Sequence, residues 1–292
     1  MRILIERYRL ICYFFLCFLI AWSIWIPVGI LAPKAAALTL PGAWAPTLAA
    51  LLITLITDGR AGVRALLRGL LKWRVGVGLY AFAIFGMLGL ALLSVGLNVL
   101  LGGSALEIGG VAARFGIPTE QAHLFIVFAP IIFIMTIFVG GPIAEELGWR
   151  GYAQPQMQTK IGAGPAGLAI GFIWSLWHLP MFFYFPSVVG DLPIGYYIQL
   201  ITVIGVLFAW LFNRSGGSVL LCILFHAGIN FALGIVRVHS LTILLILTAV
   251  LALVLYRRIR LVKDLPSAGI VTSQELGMPS KTLNSTPKDG AN

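Results

Sequence analysis

The 292-residue sequence predicts an all-α fold, a polytopic membrane helix bundle of about eight transmembrane helices. Three observations carry that expectation. Hydrophobic residues make up 60% of the chain and charged ones only 10%, whereas a soluble domain carries about 25% charged residues. Apolar runs of the length a bilayer core requires, roughly 20 residues, recur from one end to the other. Basic residues are shared very unevenly between the segments that connect those runs.

The spans fall at about 10–31, 41–57, 78–100, 123–141, 163–184, 194–213, 216–235 and 239–256. The first has the apolar character of a signal peptide. It lacks a small-residue cleavage site before a soluble domain, and further spans follow, so it reads as retained. The second is short and runs into "DGRAGVRALLRGLLKWRVG", where Arg60, Arg64 and Arg68 recur every four residues between leucines. That spacing predicts an amphipathic helix on the membrane surface. In the fifth span, Ala163, Gly167 and Gly171 stand four residues apart, which allows close helix contact. After Lys263 the chain becomes rich in Ser, Thr, Pro and Gly and loses its apolar pattern, so 264–292 reads as a disordered tail on a 1–263 bundle.

With the N-terminus cytoplasmic, seventeen of the 20 Lys and Arg residues lie on the inner segments, and only Lys34, Arg114 and Arg237 lie outside. This is the positive-inside pattern, and it places both termini in the cytoplasm of a cell membrane. The net charge of +10 is thus accounted for by topology and contact with the lipid bilayer, not by nucleic acid. Cys12, Cys17 and Cys222 lie inside spans and form neither a disulfide framework nor a zinc motif. No internal repeat is visible, which disfavours a transporter built on inverted repeats.

Ionisable side chains inside a membrane are costly and mark function. "AEELGWRGY" follows a long apolar run. Glu146 and Arg150 stand at i and i+4 and can pair on one helix face. Glu145 points about 100° away on a helical wheel and has no such partner. The pair serves equally well as an ion pair at a helix end. In "GFIWSLWHLPMFF", His178 lies deep in an apolar run one turn after Trp174, and Pro180 predicts a break beside the ring. A packed histidine is the alternative reading. In "LLCILFHAGINFALG", His226 and Asn230 share one face, a pairing that interhelical hydrogen bonding also explains. His123 and His239 sit at span edges. A carboxylate and an imidazole together can hold and deprotonate a water, and an imidazole and a carboxamide can donate to a developing oxyanion. No nucleophile elbow and no HExxH motif are present; Asp191 falls in a loop.

These three motifs, in this order, resemble the CPBP family, also called the Abi or type II CAAX prenyl endopeptidase family. "EELGWR" matches its EExxxR motif, "HAGIN" its HxxxN motif, and "WSLWH" its FxxxH motif with Trp174 in place of Phe. The resemblance covers about 123–236. It implies an eight-helix bundle and an intramembrane endopeptidase in which Glu145 and His178 activate water and His226 and Asn230 stabilise the oxyanion. Glu146, Arg150 and Trp174 support them. The family is described both as metalloproteases and as metal-independent glutamate proteases, so zinc on Glu145, His178 and His226 stays open. The implied substrates are membrane-associated, prenylated CAAX-type or small peptides. A non-catalytic immunity or scaffold protein of the same fold is the alternative from another class.

With straight spans, Glu145 falls at the cytoplasmic end of the fourth. His178 then lies roughly 22 Å along the fifth at 1.5 Å per residue. The two meet only if the helices tilt or break, and Pro130 and Gly140-Gly141-Pro142 mark where.

Overall fold

The computed structural model describes residues 2–139, 141–185, 192–235 and 240–259. The tail at 264–292, His239, Asp191, Arg237 and Gly140 lie outside the described residues. The described chain is helical and without strands. Its main helices are α1 (Arg9–Leu31), α2 (Ala45–Arg68), α3 (Val77–Leu100), α4 (Ile108–Arg114), α5 (Leu124–Val139), α6 (Pro142–Glu146), α7 (Gln154–Ile161), α8 (Ala163–Trp177), α9 (Leu179–Tyr184), α10 (Ile194–Arg214), α11 (Val219–Ile235) and α12 (Leu241–Ile259).

Six helical segments are long and apolar enough to cross a membrane, and a seventh qualifies if α5 and the bent segment Pro142–Ile161 count as one. The remaining expected span, α11, is a shorter apolar helix of 17 residues. The protein is therefore a multi-pass helical bundle. Helices such as α1, α3 and α5 carry apolar side chains all round, the pattern of a helix with no aqueous face. Phe15, Phe85, Ile126 and Val127 stand outward, where lipid rather than water meets them.

The second span is longer than its apolar run. Helix α2 kinks at Gly59 (φ 66°) and continues beyond it. Past the kink Arg60, Arg64 and Arg68 are exposed while Ala65 and Leu66 are buried. This is the amphipathic helix that the arginine spacing predicts.

The small-residue positions of α8 set a close helix contact. A Cβ on Gly167 would lie 2.6 Å from Gly205 O, and one on Gly171 would lie 2.7 Å from Ile201 O. Glycine at both positions lets the backbones of α8 and α10 meet directly. Cys17 and Cys222 are buried, Cys12 is partly so, and all three are free.

The helix of the fourth span ends at Val139, and the chain breaks at Gly141-Pro142, one of the two places that the sequence offers for a break. Helix α5 gives way to α6 at a bend of 41°, and the chain continues through a π-helical stretch, Leu147–Ala153, into α7. Gly141 adopts φ 93°, a left-handed conformation that glycine accepts without steric cost, and Pro142 opens the next helix. The two glutamates therefore sit at a break inside the bundle.

Candidate active site

The break in the fourth span delivers Glu145 and Glu146 together, both nearly inaccessible, at 3% and 0% exposure. Their environments differ. Arg150 Nη1 donates to both Glu146 oxygens, at 2.8 and 3.0 Å. The guanidinium lies 3.5 Å from the Phe208 ring centroid and 4.7 Å from that of Trp174. A buried charge pair needs such additional partners to offset its desolvation. The i,i+4 pairing read from the sequence is present.

Glu146 also holds His226, whose Nδ1 lies 2.8 Å from Glu146 Oε1. A carboxylate oxygen accepts, so Nδ1 carries the proton and Nε2 is left as the other functional nitrogen. Glu146 thus orients an imidazole as well as bracing Arg150, a second contact that sequence spacing does not reveal because α11 lies 80 residues further on.

Glu145 is not partnerless. Two indoles converge on one of its oxygens: Trp174 Nε1 donates to Oε2 at 2.7 Å and Trp149 Nε1 at 3.3 Å. The other oxygen, Oε1, lies beside Gly141, where an added Cβ would collide with it. Trp174 therefore does something that phenylalanine at this position cannot do, since it supplies an N–H. Trp149 is a neighbour of the carboxylate that the three motifs do not include, and Gly141, marked in the sequence as a place for a break, also borders it. The signal was available, for Trp149 stands at i+4 from Glu145 just as Arg150 does from Glu146.

His178 ends α8. It sits between Trp177 and Leu179, where α8 stops and α9 begins, with Pro180 in the first turn of α9. The break expected beside Pro180 is there. His178 Nδ1 lies 3.0 Å from Trp174 O. A carbonyl only accepts, so Nδ1 carries the proton and Nε2 holds a lone pair. The ring packs edge-on against Trp177 and Trp174, with centroids 4.8 and 5.6 Å away. Trp174 also meets the His226 ring edge-on at 4.9 Å, so this one indole touches Glu145, His178 and His226.

Glu145, Trp174, His178, His226 and Asn230 all line one cavity of about 990 Å³. His226 and Asn230 share a face of α11, as their spacing predicts, and Asn230 is half-buried. Among the described residues no group of three His, Cys, Asp or Glu side chains is placed to hold a metal ion. The set Glu145, His178 and His226 therefore does not fit zinc as arranged. The Nδ1 bonds of His226 to Glu146 and of His178 to the Trp174 carbonyl nonetheless leave Nε2 of each ring free, and Glu145 keeps Oε1.

A multi-pass helical bundle whose broken fourth span brings a buried carboxylate and two imidazoles to one cavity defines the class. The model of the family Type II CAAX prenyl endopeptidase Rce1-like matches residues 127–232. That segment holds all three motifs and bears out the resemblance read from them. The chain is also similar to CAAX prenyl protease 2 of Methanococcus maripaludis, 28% identical over 146 residues. The match covers 48% of this chain and 49% of that protein, so the chain spans about half the length of the curated relative it matches.

Proposed function

We propose that the protein is an intramembrane endopeptidase that hydrolyses a peptide bond with water held between Glu145 and His178. The observation that carries this reading is the asymmetric environment of Glu145. Both indole donors occupy Oε2, which leaves Oε1 to accept a proton. In this reading Oε1 and the lone pair on His178 Nε2 hold the water. Glu145 takes its proton as the oxygen attacks the scissile carbonyl, and returns that proton to the departing amine, so no covalent intermediate forms. Asn230 donates its amide N–H to the developing oxyanion. His226, when doubly protonated, donates from Nε2 while Glu146 balances its charge through Nδ1. A donor placed in this way lowers the barrier by about 2.7–4 kcal/mol. Arg150 holds Glu146 in place through two hydrogen bonds, and so acts through His226.

The similarity to a CAAX prenyl protease supports a membrane-associated peptide as substrate. The uneven placement of basic residues supports a cytoplasmic position for the two ends of the bundle. The test is cleavage, by wild-type protein in nanodiscs, of a prenylated CAAX-type peptide and of the same peptide without its lipid, followed by mass spectrometry. Cleavage of either supports hydrolysis, and the ratio reports whether the lipid is read. If neither is cut while the protein still confers resistance to a secreted peptide in cells, the non-catalytic reading replaces this one.

A further inference from the structure

Short contacts sort the connecting segments into two faces of the bundle. On the first, Arg9 pairs with Asp58 at 2.9 Å, Lys72 Nζ donates to Gly216 O at 2.7 Å, and Gln158 and Asn213 exchange side-chain hydrogen bonds. On the second, Trp25 Nε1 donates to Thr39 O at 2.8 Å and Tyr196 Oη to Leu241 O at 2.8 Å. Arg114 Nη1 reaches Gly234 O at 3.3 Å on this same face.

Charge divides along the same line. Among the described residues the first face carries the basic side chains of Arg2, Arg7 and Arg9, those between Arg60 and Arg74, and Lys160, Arg214, Arg257 and Arg258. The second carries Lys34 and Arg114. By the positive-inside rule the first face is cytoplasmic.

The cavity belongs to the other side. Its floor is Glu145, His178 and His226, and its rim includes Thr39, Leu40, Arg114, Leu192 and Leu241, all from segments of the second face. One wall is α5, whose Ile131 and Met135 line the cavity and are exposed. The position of His178 along its helix agrees. His178 is separated from the start of α8 by roughly 22 Å of helix, and from Tyr184, at the end of α9, by only about 9 Å at 1.5 Å per residue.

We infer that the cavity opens to the extracytoplasmic side, so that its substrate is an exported or outer-leaflet peptide and not a protein lipid-modified and retained in the cytoplasm. The substrate half of this inference rests on the hydrolytic reading above; the sidedness does not. A peptide segment descends past Arg114 to the carboxylate, and an apolar or lipid-bearing residue rests along α5.

The test uses the full chain in a bacterial inner membrane and a sulfonated, membrane-impermeant maleimide. Leu40→Cys reports the rim and Arg68→Cys the basic face, with wild-type protein setting the background from Cys12, Cys17 and Cys222. Leu40→Cys is expected to label in right-side-out spheroplasts, and Arg68→Cys only in inside-out vesicles. The reverse pattern overturns the inference. So does a Leu40→Cys that reacts with permeant maleimide but with the impermeant reagent from neither side. Wild-type vesicles of each orientation are then offered a peptide from outside. Cleavage only when the basic face is presented overturns the substrate assignment. Rim labelling in spheroplasts with cleavage in neither orientation leaves the sidedness standing and removes the hydrolytic reading instead.

Discussion

Replacing Glu146 by glutamine removes the charge that faces both Arg150 and His226. Three contacts depend on that charge, two from Arg150 at 2.8 and 3.0 Å and one from His226 at 2.8 Å. The glutamate is fully buried and the arginine is 1% exposed. Breaking a buried pair from one side costs about 3–5 kcal/mol because the remaining charge loses its compensation. Glutamine keeps one carbonyl acceptor, which puts Glu146→Gln at the lower end, about 3 kcal/mol. That is roughly a hundredfold loss in the folding equilibrium. The companion variant Glu146→Gln/Arg150→Met deletes both charges and leaves an apolar side chain against Phe208 and Trp174. Replacing a buried pair by apolar groups is often neutral, so the double variant is expected to recover most of the stability while staying impaired in catalysis, because His226 has lost its carboxylate. The assay is unfolding in mild detergent micelles titrated with a denaturing detergent, alongside turnover of a cleaved peptide. Losses in Glu146→Gln and in Arg150→Met alone that simply add in the double variant would refute this account of the pair, since contacting partners couple by more than about 0.5 kcal/mol.

Two further variants probe the carboxylate that is proposed to act. Trp174→Phe keeps an aromatic ring but deletes the 2.7 Å donor to Glu145 Oε2. A hydrogen bond to a charged group is worth about 1.5–3 kcal/mol, so kcat is expected to fall by roughly one to two orders of magnitude with KM little changed; an unaltered kcat removes Trp174 from the site. Gly141→Ala drives a methyl group against Glu145 Oε1 and forces alanine into a left-handed backbone at φ 93°, a strain of about 1–3 kcal/mol. Its expected result is a large loss of cleavage with a modest drop in the unfolding midpoint, and full activity in this variant contradicts the placement of Oε1.

Much of this arrangement is legible in the sequence because membrane spans and helical spacing are local signals. The apolar runs located the helices, the four-residue interval joined Glu146 to Arg150, and Pro180 announced the break at His178. What the sequence hid was long-range or depended on backbone geometry. The contact of Glu146 with His226 bridges 80 residues, and no periodicity encodes it. Gly141-Pro142 marks the break after the fourth span in the sequence, but not the direction in which the chain turns. The actual turn uses a left-handed glycine and a 41° bend, and Glu145 lies buried on the cavity that His178 also lines. Trp174 was read as a bulky stand-in for phenylalanine. Its indole N–H matters only once a carboxylate 29 residues away has been folded against it.

The central claim is that Glu145 is the base. Glu145→Gln keeps the side chain's shape and an oxygen for the two indoles, and removes only the capacity to take a proton. The decisive measurement is the single-turnover rate of peptide cleavage by wild-type and Glu145→Gln protein in nanodiscs, at matched folded fraction. A positioned general base contributes roughly 10²- to 10⁴-fold, and the rate is expected to fall by that factor while expression and unfolding stay at wild-type values. Cleavage by Glu145→Gln at the wild-type rate contradicts the account.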